Sequence, residues 1–206
     1  MYSFNDSLRQ AIVAQFESFP RQQFALDHKR AAAVAVTICR NDHEPVVAVT
    51  RRSASLRAHA RQWALPGGRI DVGETAIDGA LRELHEEVGL RVPGTDVLGV
   101  LDDFATRSGY VITPVVVWAD VDWRELVPNP DEVEFVRPFG FRELGREDSP
   151  VLRSIPESDR QVLSMRFHDD QIFAPTGAML YQVRELALFD RVTRVAAYEQ
   201  PVFAWR

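Results

Sequence analysis

The chain is poor in sulfur and nearly devoid of lysine. It has one cysteine, Cys39, and of its 24 lysines and arginines only Lys29 is a lysine. A single thiol excludes a disulfide framework within the chain and any CxxC zinc or redox site. Cys39 closes the apolar run 31–39, which reads as a buried structural thiol. No run approaches the ~18–20 apolar residues that cross a bilayer. The opening MYSFNDSLRQAIV lacks the basic and apolar regions of a secretory signal, so a cytoplasmic chain without a membrane partner is expected. No excess of positive charge is present either. The net charge is −6, which gives no global ground for a nucleic-acid partner. Repeats, low-complexity tracts and long linkers are absent.

The 206 residues are 46% hydrophobic and 26% charged, ordinary values for one globular domain with terminal extensions. Leu8, Ile12 and Phe16 recur at helical spacing, with Asp6 or Ser7 as cap and Pro20 as stop. Residues 31–39 and 45–50 form a strand hairpin around Asn41–Glu44, and 97–104 pairs with 110–119 around Gly109. A helix over 75–90 carries the stripe Ile77, Leu81, Leu84 and Val88, and Gly89 stops it. A short strand over 133–136, a helical turn at 141–144 and a proline-containing loop over 149–159 follow. The last helix runs from Thr176, its expected cap, to Phe189. Strands and helices mix without regular βαβ alternation, which places the chain in the α/β (α+β) class, layered around a mixed sheet. The expected organisation is an N-terminal helical extension packed on the domain (1–29), a main domain (30–190) and a C-terminal apolar tail (191–206).

Seven of the eleven glycines fall between Gly67 and Gly99. Within that stretch, Gly68 and Glu74 precede Arg82-Glu83-Leu84-His85-Glu86-Glu87-Val88-Gly89-Leu90. On a helix Glu83, Glu86 and Glu87 share a face, roughly opposite the apolar stripe. Three carboxylates at one spot repel one another unless cations offset them. Carboxylate oxygens are hard ligands suited to Mg2+ or Mn2+. By residue type alone, a solvated acidic face with Arg82 as helix support is the alternative.

Gly68, Glu74, Arg82, Glu83, Leu84, Glu86, Glu87, Gly89 and Leu90 match the Nudix box, G-x5-E-x7-R-E-U-x-E-E-x-G-U, at every defined position. The chain therefore resembles the Nudix hydrolases. The resemblance implies an α/β/α sandwich with a mixed central sheet and divalent-cation-dependent cleavage of a nucleoside diphosphate derivative. It implies Glu83, Glu86 and Glu87 as metal ligands, Arg82 as their orienting group, the Gly68 carbonyl as a further ligand and Glu74 as a support of the loop. Glu86, Glu87 and Glu132 are the candidates for the base that takes the proton of the attacking water.

Residues 51–69 hold Arg51, Arg52, Arg57, Arg61 and Arg69, with His59 and no acid. Such a local excess suits a polyanionic small molecule. The stretch is similar to the signature before the box in coenzyme A pyrophosphatases. Thr50, Arg52, Ser53, Arg57, Pro66, Gly67 and Gly68 match it without a gap, whereas Arg61 stands where glycine is expected. That resemblance implies coenzyme A or acyl-coenzyme A as substrate, with phosphopantetheine and adenosine 3′,5′-bisphosphate as products. Arg52, Ser53, Arg57, His59, Arg61 and Arg69 are the candidate substrate-binding residues. ADP-ribose or NADH is the alternative substrate, and a non-catalytic nucleotide-binding domain is a third reading. The apolar tail suits either a homodimer contact or a cap on the monomer's own core.

Overall fold

The computed structural model describes residues 2–56 and 59–205. Four helices, α1 (Asp6–Ser18), α2 (Ala76–Val88), α3 (Phe141–Leu144) and α4 (Thr176–Phe189), flank two sheets. The larger sheet contains β1 (Arg30–Asn41), β2 (Glu44–Arg52), β3 (Trp63–Ala64), β4 (Gly67–Arg69), β5 (Val97–Val100), β6 (Phe104–Ala105), β7 (Tyr110–Asp122) and β8 (Val133–Gly140). The smaller sheet contains β9 (Val151–Ile155), β10 (Ser158–Phe167) and β11 (Asp170–Phe173).

The large sheet is mixed, as expected. β1 runs parallel to β7 in the register Arg30↔Tyr110 to Ile38↔Trp118 and antiparallel to β2 and β4. Alternation along β1 explains the layers. Ala33, Ala35 and Cys39 face α2, where Ala80, Leu84 and Val88 cover them. Val36 and Ile38 face the opposite core, built with Ile12 and Phe16 of α1, Phe139, Leu163 and Met179. Small residues on one face and β-branched ones on the other let α2 approach closely. Cys39 is fully buried and free, and burial pushes its thiol up to about 12. Among the described residues no helix is long and apolar enough to cross a membrane.

The first helix, the first hairpin and the turn at 141–144 take the expected form. Four local expectations are corrected. Asn5, not Asp6 or Ser7, caps α1 by accepting the Leu8 N–H at 2.9 Å. The 97–104 strand breaks into β5 and β6 because Asp102 and Asp103 turn inward. Asp102 accepts from Gln182 and Arg194, and Asp103 from Arg21 and Thr113, which ties the break to the 20–24 segment and to α4. The expected loop over 149–159 is instead β9 and the start of β10, joined by Pro156–Glu157 as the hairpin turn. Proline there marks a tight turn between short strands. Finally, Pro175 occupies the cap position of α4, which therefore lacks a side-chain cap bond, and Thr176 is the first helical residue rather than the cap.

Candidate active site

Helix α2 owes its start and stop to local chemistry. The Thr75 hydroxyl accepts the Asp78 N–H, and the Asp78 carboxylate accepts the Thr75 N–H at 3.0 Å, a reciprocal capping pair. Gly89 closes the helix in the left-handed region at φ 71°, which costs glycine little. The expectation that all three acids lie opposite the apolar stripe is corrected at Glu87. Glu87 falls only ~20° around the helix from buried Ala80, and it is 2% exposed.

Glu83 and Glu87, one turn apart, point toward Glu132, and their carboxylate oxygens lie within 4.8 Å of one another. Glu132 reaches the cluster from the start of β8. Its backbone carbonyl accepts the Ser53 N–H at 2.8 Å, and the Asn129 N–H donates to the Glu87 carbonyl at 2.8 Å. These bonds stitch the 129–132 turn to the ends of β2 and α2. Glu86 lies apart, with its side chain half exposed and its carboxylate accepting from Arg82 at 3.1 Å.

Arg82 is the hub of the loop-helix junction. Its Nε and Nη2 donate to Glu74 at 2.8 and 3.1 Å, Nη1 to Glu83 at 2.7 Å, and Nη2 to the Arg69 carbonyl at 2.9 Å. Those bonds hold the guanidinium's affinity for its proton above the ordinary value, and the Glu74 carboxyl is held below its own. Gly68 packs directly on the cluster. A Cβ there would collide with the Glu83 carboxylate. The neighbouring Gly67 N–H donates to Glu87 Oε1 at 3.2 Å.

Burial pushes the Glu87 carboxyl up to about 7, against the pull of the Gly67 N–H and Arg52, and with help from Glu132 and Glu83. Burial also raises Glu83, opposed by Arg82. Packed acids that resist ionising call for a cation. The donor set is all hard oxygen, and a gap where a Cβ would stand keeps it compact, so a divalent ion such as Mg2+ or Mn2+ fits it.

A cleft of about 480 Å3 adjoins the cluster through Gly67 and Gly68. Arg52, His59 and Arg69 line it, and Leu65, Ile112 and Met179 add apolar surface. Among the described residues Arg52 Nε is buried without a hydrogen-bond partner. The His59 ring contacts Gln62 Oε1 at 3.2 Å, and Arg69 Nε donates to the Tyr110 hydroxyl at 3.3 Å. Ser53 does not line the cleft; its hydroxyl meets that of Ser55. Arg61 lines a neighbouring recess rather than this cleft. Arg57 lies outside the described residues. Tyr110, Gln200 and Ala204 also stand in the wall, with no local sequence signal that marks them. The aromatic tail signalled packing but carried no sign of where.

The family model described as "NUDIX domain" matches residues 28–163. Two curated relatives bear the name Uncharacterized Nudix hydrolase NudL. The one from Pectobacterium atrosepticum is 42% identical over 51% of this chain and 54% of its own length. The one from Cronobacter sakazakii is 43% identical over 43% of this chain and 46% of its own. The matched segment thus spans about half the length of these relatives. The crystal structure of the Nudix hydrolase RenU from M. smegmatis aligns with a TM-score of 0.49 at 21% identity, over 81% of this chain and 91% of that one. With the family model covering most of its length and the box intact on α2, the chain belongs to the Nudix family.

Proposed function

We propose that this chain is a divalent-cation-dependent hydrolase of a nucleoside diphosphate derivative, with coenzyme A or acyl-coenzyme A as substrate. The observation that carries the reading is the approach of Glu83, Glu87 and Glu132 to within 4.8 Å beside a cleft that holds Arg52, His59 and Arg69. Like charges packed this closely repel one another, and a bound cation offsets that repulsion.

Glu83 and Glu87 would hold Mg2+ or Mn2+, with the Gly68 carbonyl as a further donor. When bound, the ion neutralises diphosphate oxygens and makes a coordinated water more acidic. Arg82 fixes Glu83 and Glu86 in place. Arg52 and Arg69 take phosphate oxygens as planar, permanently charged donors. Of the three candidate bases, Glu86 is engaged by Arg82, and Glu87 is buried against Gly67. Glu132 keeps partial access to solvent and makes neither contact, and therefore accepts the proton of the attacking water. The water oxygen bonds to one phosphorus, the bridging P–O bond breaks, and the departing phosphate takes the electron pair. From coenzyme A the products are phosphopantetheine and adenosine 3′,5′-bisphosphate.

Coenzyme A is supported by the Thr50, Arg52 and Ser53 signature and by the backbone at Arg61, whose φ of 59° keeps the glycine-like turn of that signature. Steady-state hydrolysis of coenzyme A and ADP-ribose with Mg2+ or Mn2+ tests it. Coenzyme A should lead in kcat/KM by at least tenfold, about 1.4 kcal/mol of transition-state preference. Equal or faster turnover of ADP-ribose overturns the substrate and leaves the chemistry. No metal-dependent hydrolysis of either overturns both.

A further inference from the structure

A second recess, of about 230 Å3, opens beside the large cleft and shares Gln62, Trp63, Pro175, Thr176 and Ala204 with it. Sites for whole small molecules occupy about 300–1,000 Å3, so this one is sized for a substituent of a ligand. Its charged residues are Arg51, Arg61 and Asp170, and Gln62, Gln171 and Thr176 add neutral polar lining. The acid is already engaged. Asp170 Oδ2 accepts from Trp63 Nε1 at 2.8 Å and from Arg51 at 3.4 Å, while Oδ1 accepts the Gln171 N–H at 2.8 Å. Arg51 also lies over the Trp63 ring, 5.0 Å from its centroid. Among the described residues no carboxylate pairs with Arg61, so the recess retains a net positive charge.

Arg61 occupies an unfavourable backbone position for a side chain. Its φ is 59°, in the left-handed region that favours glycine, while its N–H donates to the Arg52 carbonyl at 3.1 Å. A long cation at a position where glycine would fold with less strain is best accounted for by what its side chain does.

We propose that this recess is a second anion subsite, in which Arg61 takes a phosphomonoester that the substrate carries away from its diphosphate. The proposal rests on the reading of the adjoining cleft as the diphosphate site. Arg51, pinned by Asp170 and Trp63, supplies fixed positive charge, and Arg61 supplies the planar donor fork that phosphate oxygens accept.

The test uses substrate pairs that differ only in that phosphate: coenzyme A against dephospho-coenzyme A, and NADPH against NADH. The wild type should show a KM about tenfold lower for the phosphorylated member, the worth of one charge-assisted contact. Arg61→Gly should bring the ratio of KM values within each pair to about one and keep or raise Tm. Arg61→Lys should restore part of the preference. Calorimetric titration of adenosine 3′,5′-bisphosphate against AMP, without added metal, should show the same Arg61-dependent discrimination without turnover. A preference that survives in Arg61→Gly, or equal affinity for the two nucleotides in the wild type, overturns the subsite and leaves the diphosphatase reading standing. If the wild type hydrolyses no member of either pair, the diphosphatase reading falls and the subsite with it.

Discussion

Glu87 carries its carboxyl into the protein beside two other acids, and both conditions favour its neutral form. Its folded-state value of about 7 lies above the ordinary carboxylate range. In metal-free protein the folded state therefore holds a proton that the unfolded state has released at pH 5–6. The associated stability is present at acidic pH and is lost as pH rises through about 7. Thermal denaturation in EDTA should show stability falling by up to about 3 kcal/mol between pH 5 and 8. Glu87→Gln should flatten that dependence while lowering metal-dependent turnover at least about a hundredfold. A slope unchanged in the variant would refute the assignment. Gly68 belongs to the same scale, because its absent Cβ leaves space for the Glu83 carboxylate. Gly68→Ala should displace that carboxylate and weaken Mn2+ affinity, read by calorimetry, by an order of magnitude or more.

Helix α2 is the element whose form follows most directly from local pattern. Its stripe, its Gly89 stop and the box glutamates are all set by spacing within two dozen residues. Removing the capping pair should therefore act on stability alone. Thr75→Ala should cost about 1 kcal/mol in chemical denaturation with kcat unchanged. The same local logic failed where tertiary partners decide. Nothing near Asp102 and Asp103 in the chain announces that Arg21, Arg194 and Gln182 will draw them inward and split a strand. Strand β9 is mostly exposed, so its burial pattern lacks the alternation that marks a strand, and its flanking prolines imitate a loop. Glu132 was visible only as a candidate, because its approach to Glu83 depends on the register of β2 with β8.

At the scale of the whole molecule, the cleft is assembled from parts that lie far apart in the chain. The family match ends at residue 163, yet Pro175, Thr176, Met179, Gln200 and Ala204 line the cleft. The last wall is clamped by Glu199, which accepts from Arg107 at 2.6 Å and from Ser158 at 2.8 Å. The Arg107 N–H holds Gln200 at 2.8 Å, and its guanidinium lies 5.0 Å from the Trp205 ring centroid. This pairing holds the Glu199 carboxyl down at about 2. Its stabilising effect is therefore complete above the ordinary carboxylate range and is lost as pH falls toward 2. Glu199→Gln should lower Tm at pH 7 and bring it closer to the wild-type value near pH 2. It should also raise KM more than it lowers kcat, since the wall shapes binding rather than chemistry. Equal Tm values at pH 7 would contradict the clamp. The account as a whole turns on the three carboxylates that α2 and β8 bring together. Anomalous diffraction from crystals soaked in Mn2+ tests it most directly. A manganese peak bonded to Glu83 and Glu87, abolished in Glu87→Gln, is the predicted result; no peak there, with manganese bound elsewhere and supporting turnover, would contradict it.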